Sequence, residues 1–170
     1  NNNLLPAGPI TELNTFDMLP FSNFVTIVEG ITPARFKEMM ENSVSRITGS
    51  GPQGSGTGRF AQIAGFSIVY DSTATPLLYD VNDNIIQQGS RIWEIQLNDG
   101  TYIVRNGVAL ANAPSVNLAV ADFTAKGGDQ YPISDLPRTQ VGATYQQALF
   151  NYITAADGLN GLIDSVSYPE

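Results

Sequence analysis

The spacing of apolar residues changes several times along the chain, and each change marks an element. Thr11 stands ahead of Leu13, Phe16 and Met18, which predicts a short capped helix with those three residues on its apolar side. Residues 24–29, Phe-Val-Thr-Ile-Val-Glu, are rich in strand formers and close at Gly30. Thr32-Pro33 is a strong helix start, a hydroxyl cap followed by proline in the first turn. Phe36, Met39, Met40, Val44 and Ile47 then recur at helical spacing and predict one buried face. Two β-like runs follow at 60–63 and 66–70, hinged at Gly65, and residues 76–90 read as irregular.

The second half opens with a clean alternation over residues 91–97. It predicts Ile92, Glu94 and Gln96 on one side of a strand and Trp93, Ile95 and Leu97 on the other. Asn98-Asp99-Gly100 is a hairpin turn, residues 101–105 supply the return strand, and Asn106-Gly107 turns the chain again. Residues 116–121 form a further strand that runs toward the turn at Gly127, Gly128 and Asp129. Tyr145, Ala148, Leu149, Tyr152 and Ile153 make a last amphipathic helix, with a stop expected near Gly158. Helices mixed with hairpins predict an α+β fold, a mixed sheet with packed helices. Residues 1–9 read as a lead-in or linker and residues 10–170 as a single domain without internal repeats.

Composition narrows the chemistry. Sixteen Asp and Glu against eight Lys and Arg leave a net charge of −8, a field that repels nucleic-acid backbones. A single small nucleotide held by its base is not excluded by that field. No apolar run approaches the roughly 18–20 residues of a membrane helix. Charged residues are only 14% of the chain, the polarity coming from uncharged side chains, a composition common in exported proteins. Composition alone does not fix an address; the expected location is extracellular, periplasmic or cell-surface, and a start at Asn1 without Met fits a processed or cut piece. The chain has no Cys and no His, which removes disulfides, Cys-based zinc sites, Ser-His-Asp triads and imidazole acid-base catalysis. Carboxylates, Lys, Tyr and oxygen-ligand metals remain.

Two segments imitate sites without completing them. The glycine-rich run at 49–58 lacks the Gly-Lys-Ser/Thr ending of a phosphate loop and reads as an exposed connector. Asp80, Asn82 and Asn84 copy the first ligands of a calcium loop, but Ile85 and Arg91 stand where that loop needs Gly and Glu, so a polar turn is the better account.

Two other segments are candidates for recognition. In Leu19-Pro20-Phe21-Ser22-Asn23, Pro20 fixes the backbone and places Phe21 at a rigid bend. In residues 122–131, Phe123 leaves a strand, Gly127 and Gly128 open the backbone to close approach, and Asp129 follows with a carboxylate suited to a pair of sugar hydroxyls. Taken singly, Phe21 and Phe123 read better as core plugs and the glycine pair as a tight turn. Taken together, two aromatics on rigid bends with a carboxylate beside one of them suit a purine nucleoside, each ring contributing about 1–3 kcal/mol of stacking.

At these residues the chain resembles the C-terminal domain of the 5′-nucleotidase family, which includes UDP-sugar hydrolases and 2′,3′-cyclic-nucleotide phosphodiesterases. Gly8-Pro9-Ile10-Thr11 resembles the family's Gly-x-Ile-Thr, and Leu19-Pro20-Phe21-Ser22-Asn23 its Leu-Pro-Phe-Gly-Asn. Residues 30–43 resemble the strand end and helix that follow, residues 59–66 its Phe-Leu-Gln-Val-Ser-Gly stretch, and residues 91–100 its hairpin. Residues 122–131 are similar to Asp-Phe-x-Ala-x-Gly-Gly-Asp-Gly-Tyr. Ser22 and Gln130 each replace a glycine of the family pattern.

The resemblance implies that Phe21 and Phe123 sandwich the base, that Asp129 binds ribose hydroxyls, and that Asn23, Gly127 and Gly128 complete the substrate-binding set. It also implies that two divalent metals and the chemistry belong to a covalently linked N-terminal metallophosphatase domain, with no cofactor and no metal in this chain. The expected function is thus nucleotide substrate recognition for a metal-dependent phosphoester hydrolase, this chain being inactive alone. The alternative is a non-catalytic ligand-binding or adhesion module of an exported protein that keeps the fold. A freestanding carboxylate enzyme using Asp122 and Asp129 ranks last, since charged residues near a turn are usually solvated.

Overall fold

A computed structural model describes residues 8–47 and 58–155. Most of the glycine-rich run, residues 1–7 of the lead-in and the expected stop at Gly158 lie outside the described residues. The chain order is α1 (Glu12–Met18), β1 (Phe24–Ile31), α2 (Pro33–Val44), β2 (Phe66–Tyr70), β3 (Leu78–Tyr79), β4 (Ile85–Gln87), β5 (Ile92–Leu97), β6 (Tyr102–Arg105), β7 (Val108–Ala109), β8 (Val116–Ala121), α3 (Asp122–Ala125), a 3-10 turn (Gly128–Gln130), β9 (Arg138–Thr144) and α4 (Tyr145–Thr154). The class is α+β. The strands form sheets in the orders β8-β1-β9, β2-β5-β6-β7 and β3-β4.

The chain divides into two compact units. The first holds the described residues 8–27, 119–122 and 139–155, and the second holds the described residues of 28–118 and 123–138. Both contain parts of β1, β8 and β9, because the chain crosses from one unit to the other within those strands.

In the second unit α2 forms where the sequence places it. Thr32 caps it by accepting from the Arg35 amide, and Pro33 takes the first turn, where no amide hydrogen is missed. Phe36, Met39, Met40 and Val44 are buried. The helix packs across β5, β6 and β7, strands that carry the buried Ile92, Ile95, Ile103 and Val104. The ring of Phe36 meets Phe66 edge to face, with 4.8 Å between centroids.

The alternation predicted for residues 91–97 is broken by a bulge. Val69 pairs with Glu94, but Tyr70 pairs with Ile92, leaving Trp93 without a partner. The extra residue shifts the phase of the strand. Ile92 and Ile95, three positions apart, are therefore both fully buried, while Trp93 is half-exposed.

Charged residues lie inside this unit. Arg91 is fully buried, its Nε donating to the Ala74 carbonyl at 3.0 Å and its Nη1 to the carbonyls of Val44 and Ser45 at 2.6 and 3.1 Å. These last two carbonyls end α2, so the cation also meets the negative end of the helix dipole. Glu41 accepts from the backbone amides of Arg91 and Ile92, both at 3.0 Å, and pairs with Lys37. Gly89 leaves the space for that carboxylate, since a methyl group there would stand 2.5 Å from Glu41 Oε2.

Elsewhere the structure departs from the sequence reading in three places. Residues 60–63 form no strand. Ala61 instead donates its amide to Ser43 Oγ, and Phe60 packs edge to face on Tyr70. Residues 76–90 are not wholly irregular, since β3 and β4 pair around the turn headed by Asp80. Asp80 accepts from the amides of Asn82 and Asn84, which confirms the polar turn. Residues 138–144, which carry no apolar alternation, form β9.

The first unit has a small and partly polar interior. Its helix α1 is capped by Thr11 and Asn14 in a reciprocal box, as the cap predicts. The buried side is not the apolar one, however. Leu13 and Phe16 are exposed, and Thr15 is buried, its hydroxyl donating to the Glu12 carbonyl and accepting from Gln146 on α4 at 2.6 Å.

Candidate functional site

Phe21 belongs to the first unit, on the bend between α1 and β1. Its amide donates to the hydroxyl of Tyr145 at 2.9 Å, and the amide of Tyr145 donates to the carbonyl of Asn23 at 3.0 Å. One residue at the start of α4 therefore clamps the bend from both sides. A third bond, from the Phe24 amide to Asp122 Oδ1 at 3.0 Å, holds the start of β1. Within this frame the Phe21 side chain is 70% exposed and Asn23 is half-buried. Phe21 is thus not the core plug that the residue type alone favours.

Phe123, Gly127, Gly128 and Asp129 lie together in the second unit. Phe123 sits in α3, a single helical turn that takes over where β8 ends, and is 50% exposed. Gly127 has a φ of +90°, in the left-handed region that favours glycine. Gly128 serves a different purpose. A methyl group on it would stand 2.4 Å from Cε1 and 2.5 Å from both Cδ1 and Cζ of Phe123. Near-equal distances to three consecutive ring atoms place Gly128 against the ring's face, since an approach at the edge would separate them widely. One face of Phe123 therefore rests on bare backbone, while the residue as a whole stays half-exposed. The two glycines shape the loop and seat the ring.

We expect Gly128→Ala to displace this ring while sparing the fold. The ring is half-exposed and can swing outward, so the stability cost should stay within about 1 kcal/mol. Urea unfolding together with a titration of AMP checks this, the expected pattern being an unchanged melt with weakened binding.

Asp129 is exposed and lies in the left-handed region, at a φ of 53°, followed by Gln130 at 63°. Among the described residues no hydrogen bond or ion pair engages its carboxylate. The backbone of the loop, by contrast, is tied down. Asn42 on α2 donates to the Asp129 carbonyl at 2.9 Å, and Arg59 Nη1 donates to Asn42 Oδ1 at 2.8 Å and to Gln130 Oε1 at 3.2 Å. Gln130 Nε2 donates to Asp83 Oδ1 at 2.6 Å, and the Tyr131 hydroxyl donates to the Arg59 carbonyl at 2.7 Å.

Arg59 is buried without a carboxylate in ion-pair reach among the described residues. Burial, and then the like charge of Arg46, hold its guanidinium below its usual range, while the charge of Asp129 acts in the opposite direction. Burial likewise raises the Tyr131 phenol. No local signal in the sequence marks Asn42, Arg59 or Tyr145 as a support of these loops; their partners lie far along the chain.

A shallow cavity of about 370 Å³, lined by Thr101, Tyr102 and residues 110–114, contains none of the sequence-predicted site residues. Among the described residues no group of three or more Asp or Glu is placed to hold a metal, and no helix is long and apolar enough to cross a membrane.

A family model described as the C-terminal domain of 5′-nucleotidase matches residues 1–135. Among solved structures, the 5′-nucleotidase precursor of Thermus thermophilus is similar in fold, with a TM-score of 0.65 and 23% identity over 88% of this chain. The chain spans 25% of that protein's length. A search of curated protein sequences finds no match.

Proposed function

Because the chain belongs to the family of 5′-nucleotidase C-terminal domains, we propose that it recognises the nucleoside part of a nucleotide for a phosphoester hydrolase whose catalytic centre lies in a linked domain. The observation that carries this reading is the pairing of an exposed ring with an exposed carboxylate. Phe123 stands half-exposed on Gly128, and Asp129 follows on the same anchored loop. A flat base takes the aromatic face, and a carboxylate accepting two hydrogen bonds takes the vicinal hydroxyls of ribose. In the first unit, taken by itself, Phe21 is an exposed ring on a clamped bend.

The residues of this chain do not fit a dimetal phosphoesterase centre. The chain has no His and no Cys, and its described carboxylates are not grouped for a metal. Water activation and stabilisation of the phosphoryl group are therefore assigned to the linked domain, and the role of this chain is to bind and orient.

The test uses the purified 170-residue chain. It should bind AMP weakly, with Kd near or above about 1 mM, or about −4 kcal/mol. It should not hydrolyse AMP or a sugar nucleotide with any added divalent metal. Turnover by the purified chain overturns the assignment of catalysis elsewhere, and absence of AMP binding at tens of millimolar overturns the recognition role.

A further inference from the structure

Asp129 and Gln130 are consecutive non-glycine residues in the left-handed region, an arrangement L-residues avoid unless their surroundings hold them there. The backbone contribution is a turn, with the Gln130 amide donating to the Gly127 carbonyl at 3.1 Å. The side chain of Gln130 supplies the remainder. Its carbonyl oxygen accepts from buried Arg59, and its amide nitrogen donates to Asp83, at 3.2 and 2.6 Å. The same Arg59 nitrogen bonds Asn42, which in turn holds the Asp129 carbonyl. Asp83 is itself left-handed, at a φ of 62°, in the turn organised by Asp80. Gln130 therefore joins two anchored elements on either side of the loop that presents Asp129.

The bridge needs an acceptor at one end and a donor at the other, and the Gln amide has both. Glycine, the residue of the family pattern at this position, would take the same backbone conformation but make neither bond.

We propose that Gln130 is a positioning residue for sugar recognition: by bridging Arg59 and Asp83 it holds the Asp129 carboxylate in the orientation that vicinal ribose hydroxyls require. The inference rests on the nucleoside-recognition reading above. It adds that this chain presets its sugar-binding loop with a side-chain bridge.

The test compares AMP with 2′,3′-dideoxy-AMP in NMR titrations of the 170-residue chain. A carboxylate hydrogen-bonded to the sugar should make the wild type prefer AMP by at least about tenfold. Gln130→Glu keeps the acceptor toward Arg59 but sets a carboxylate against Asp83. It should lose most of the preference while binding the dideoxy ligand as before. Adding Asp83→Asn restores a donor opposite Glu and should return the preference to within about twofold of wild type, the coupling expected of direct partners. A general loosening of the fold would weaken both ligands together and would not be rescued by the second exchange. If the wild type discriminates and Gln130→Glu discriminates equally, or if the double variant is not restored, the role of Gln130 is overturned and the nucleoside reading stands. If the wild type shows no preference between the two ligands, the sugar role of Asp129 falls, and that of Gln130 with it.

Discussion

Phe123→Ala is expected to weaken AMP binding to the 170-residue chain at least about fivefold while leaving it folded. One stacked base contributes about 1–3 kcal/mol. Against a total near −4 kcal/mol for a millimolar ligand, losing that much weakens Kd about 5- to 150-fold. The fold should survive, because the ring is half-exposed and one of its faces rests on the backbone of Gly128, not in the apolar core. Amide spectra of the variant should therefore overlay those of the wild type away from residues 122–131. Chemical-shift changes on adding AMP that are the same with and without Phe123 would remove the stacking role from this residue.

Arg91→Met should be the most destabilising single substitution in the second unit, at about 3–5 kcal/mol. Three carbonyls, those of Val44, Ser45 and Ala74, receive hydrogen bonds from the one buried guanidinium. Met fills much of the volume but donates nothing. It leaves buried acceptors unsatisfied and the end of α2 without its cation. A loss of that size is a large part of the roughly 5–15 kcal/mol that keeps a domain folded. Trp93 is the only tryptophan of the chain and lies two residues away in the same unit, so its fluorescence in urea reports this unit directly. Arg105→Met is the control. Arg105 is exposed on β6, over the ring of Tyr102, and its loss should cost about 1 kcal/mol or less. Equal midpoints for the two variants would contradict the role given to Arg91.

Local signals identified the elements that local chemistry decides. Thr32-Pro33 and Phe36, Met39, Met40 and Val44 at helical spacing located α2, which ends before Ile47, the fifth residue expected on that face, and Asn98-Asp99-Gly100 located the hairpin of β5 and β6, because caps and turns act within a few residues. The features that escaped depend on partners far along the chain. The bulge at Trp93 exists only in register with β2, so alternation alone placed Ile92 and Ile95 on opposite faces. Thr15 is buried because Gln146 receives it, 131 residues away, and that reverses the apolar side expected for α1. Arg91 reads as an ordinary charged strand end until the carbonyls of α2 arrive around it.

The candidate site divides along the same line. Phe21, Phe123, Gly127, Gly128 and Asp129 stand out from residue type and order, whereas their supports do not. The hydroxyl of Tyr145 that clamps Phe21 and the Asn42–Arg59–Gln130 chain that anchors Asp129 join segments far apart in sequence, and no segment alone shows the link. Gly128 shows the difference most clearly. A glycine pair announces backbone freedom, but only the folded structure shows that the second member seats an aromatic ring.

The most direct test of nucleoside recognition is a set of intermolecular NOEs between the adenine protons of AMP and the phenylalanine rings of the 170-residue chain. The account predicts contacts from adenine H2 or H8 to the ring of Phe123, lost in Phe123→Ala. AMP that binds without touching that ring, or with unchanged affinity in Phe123→Ala, would contradict it.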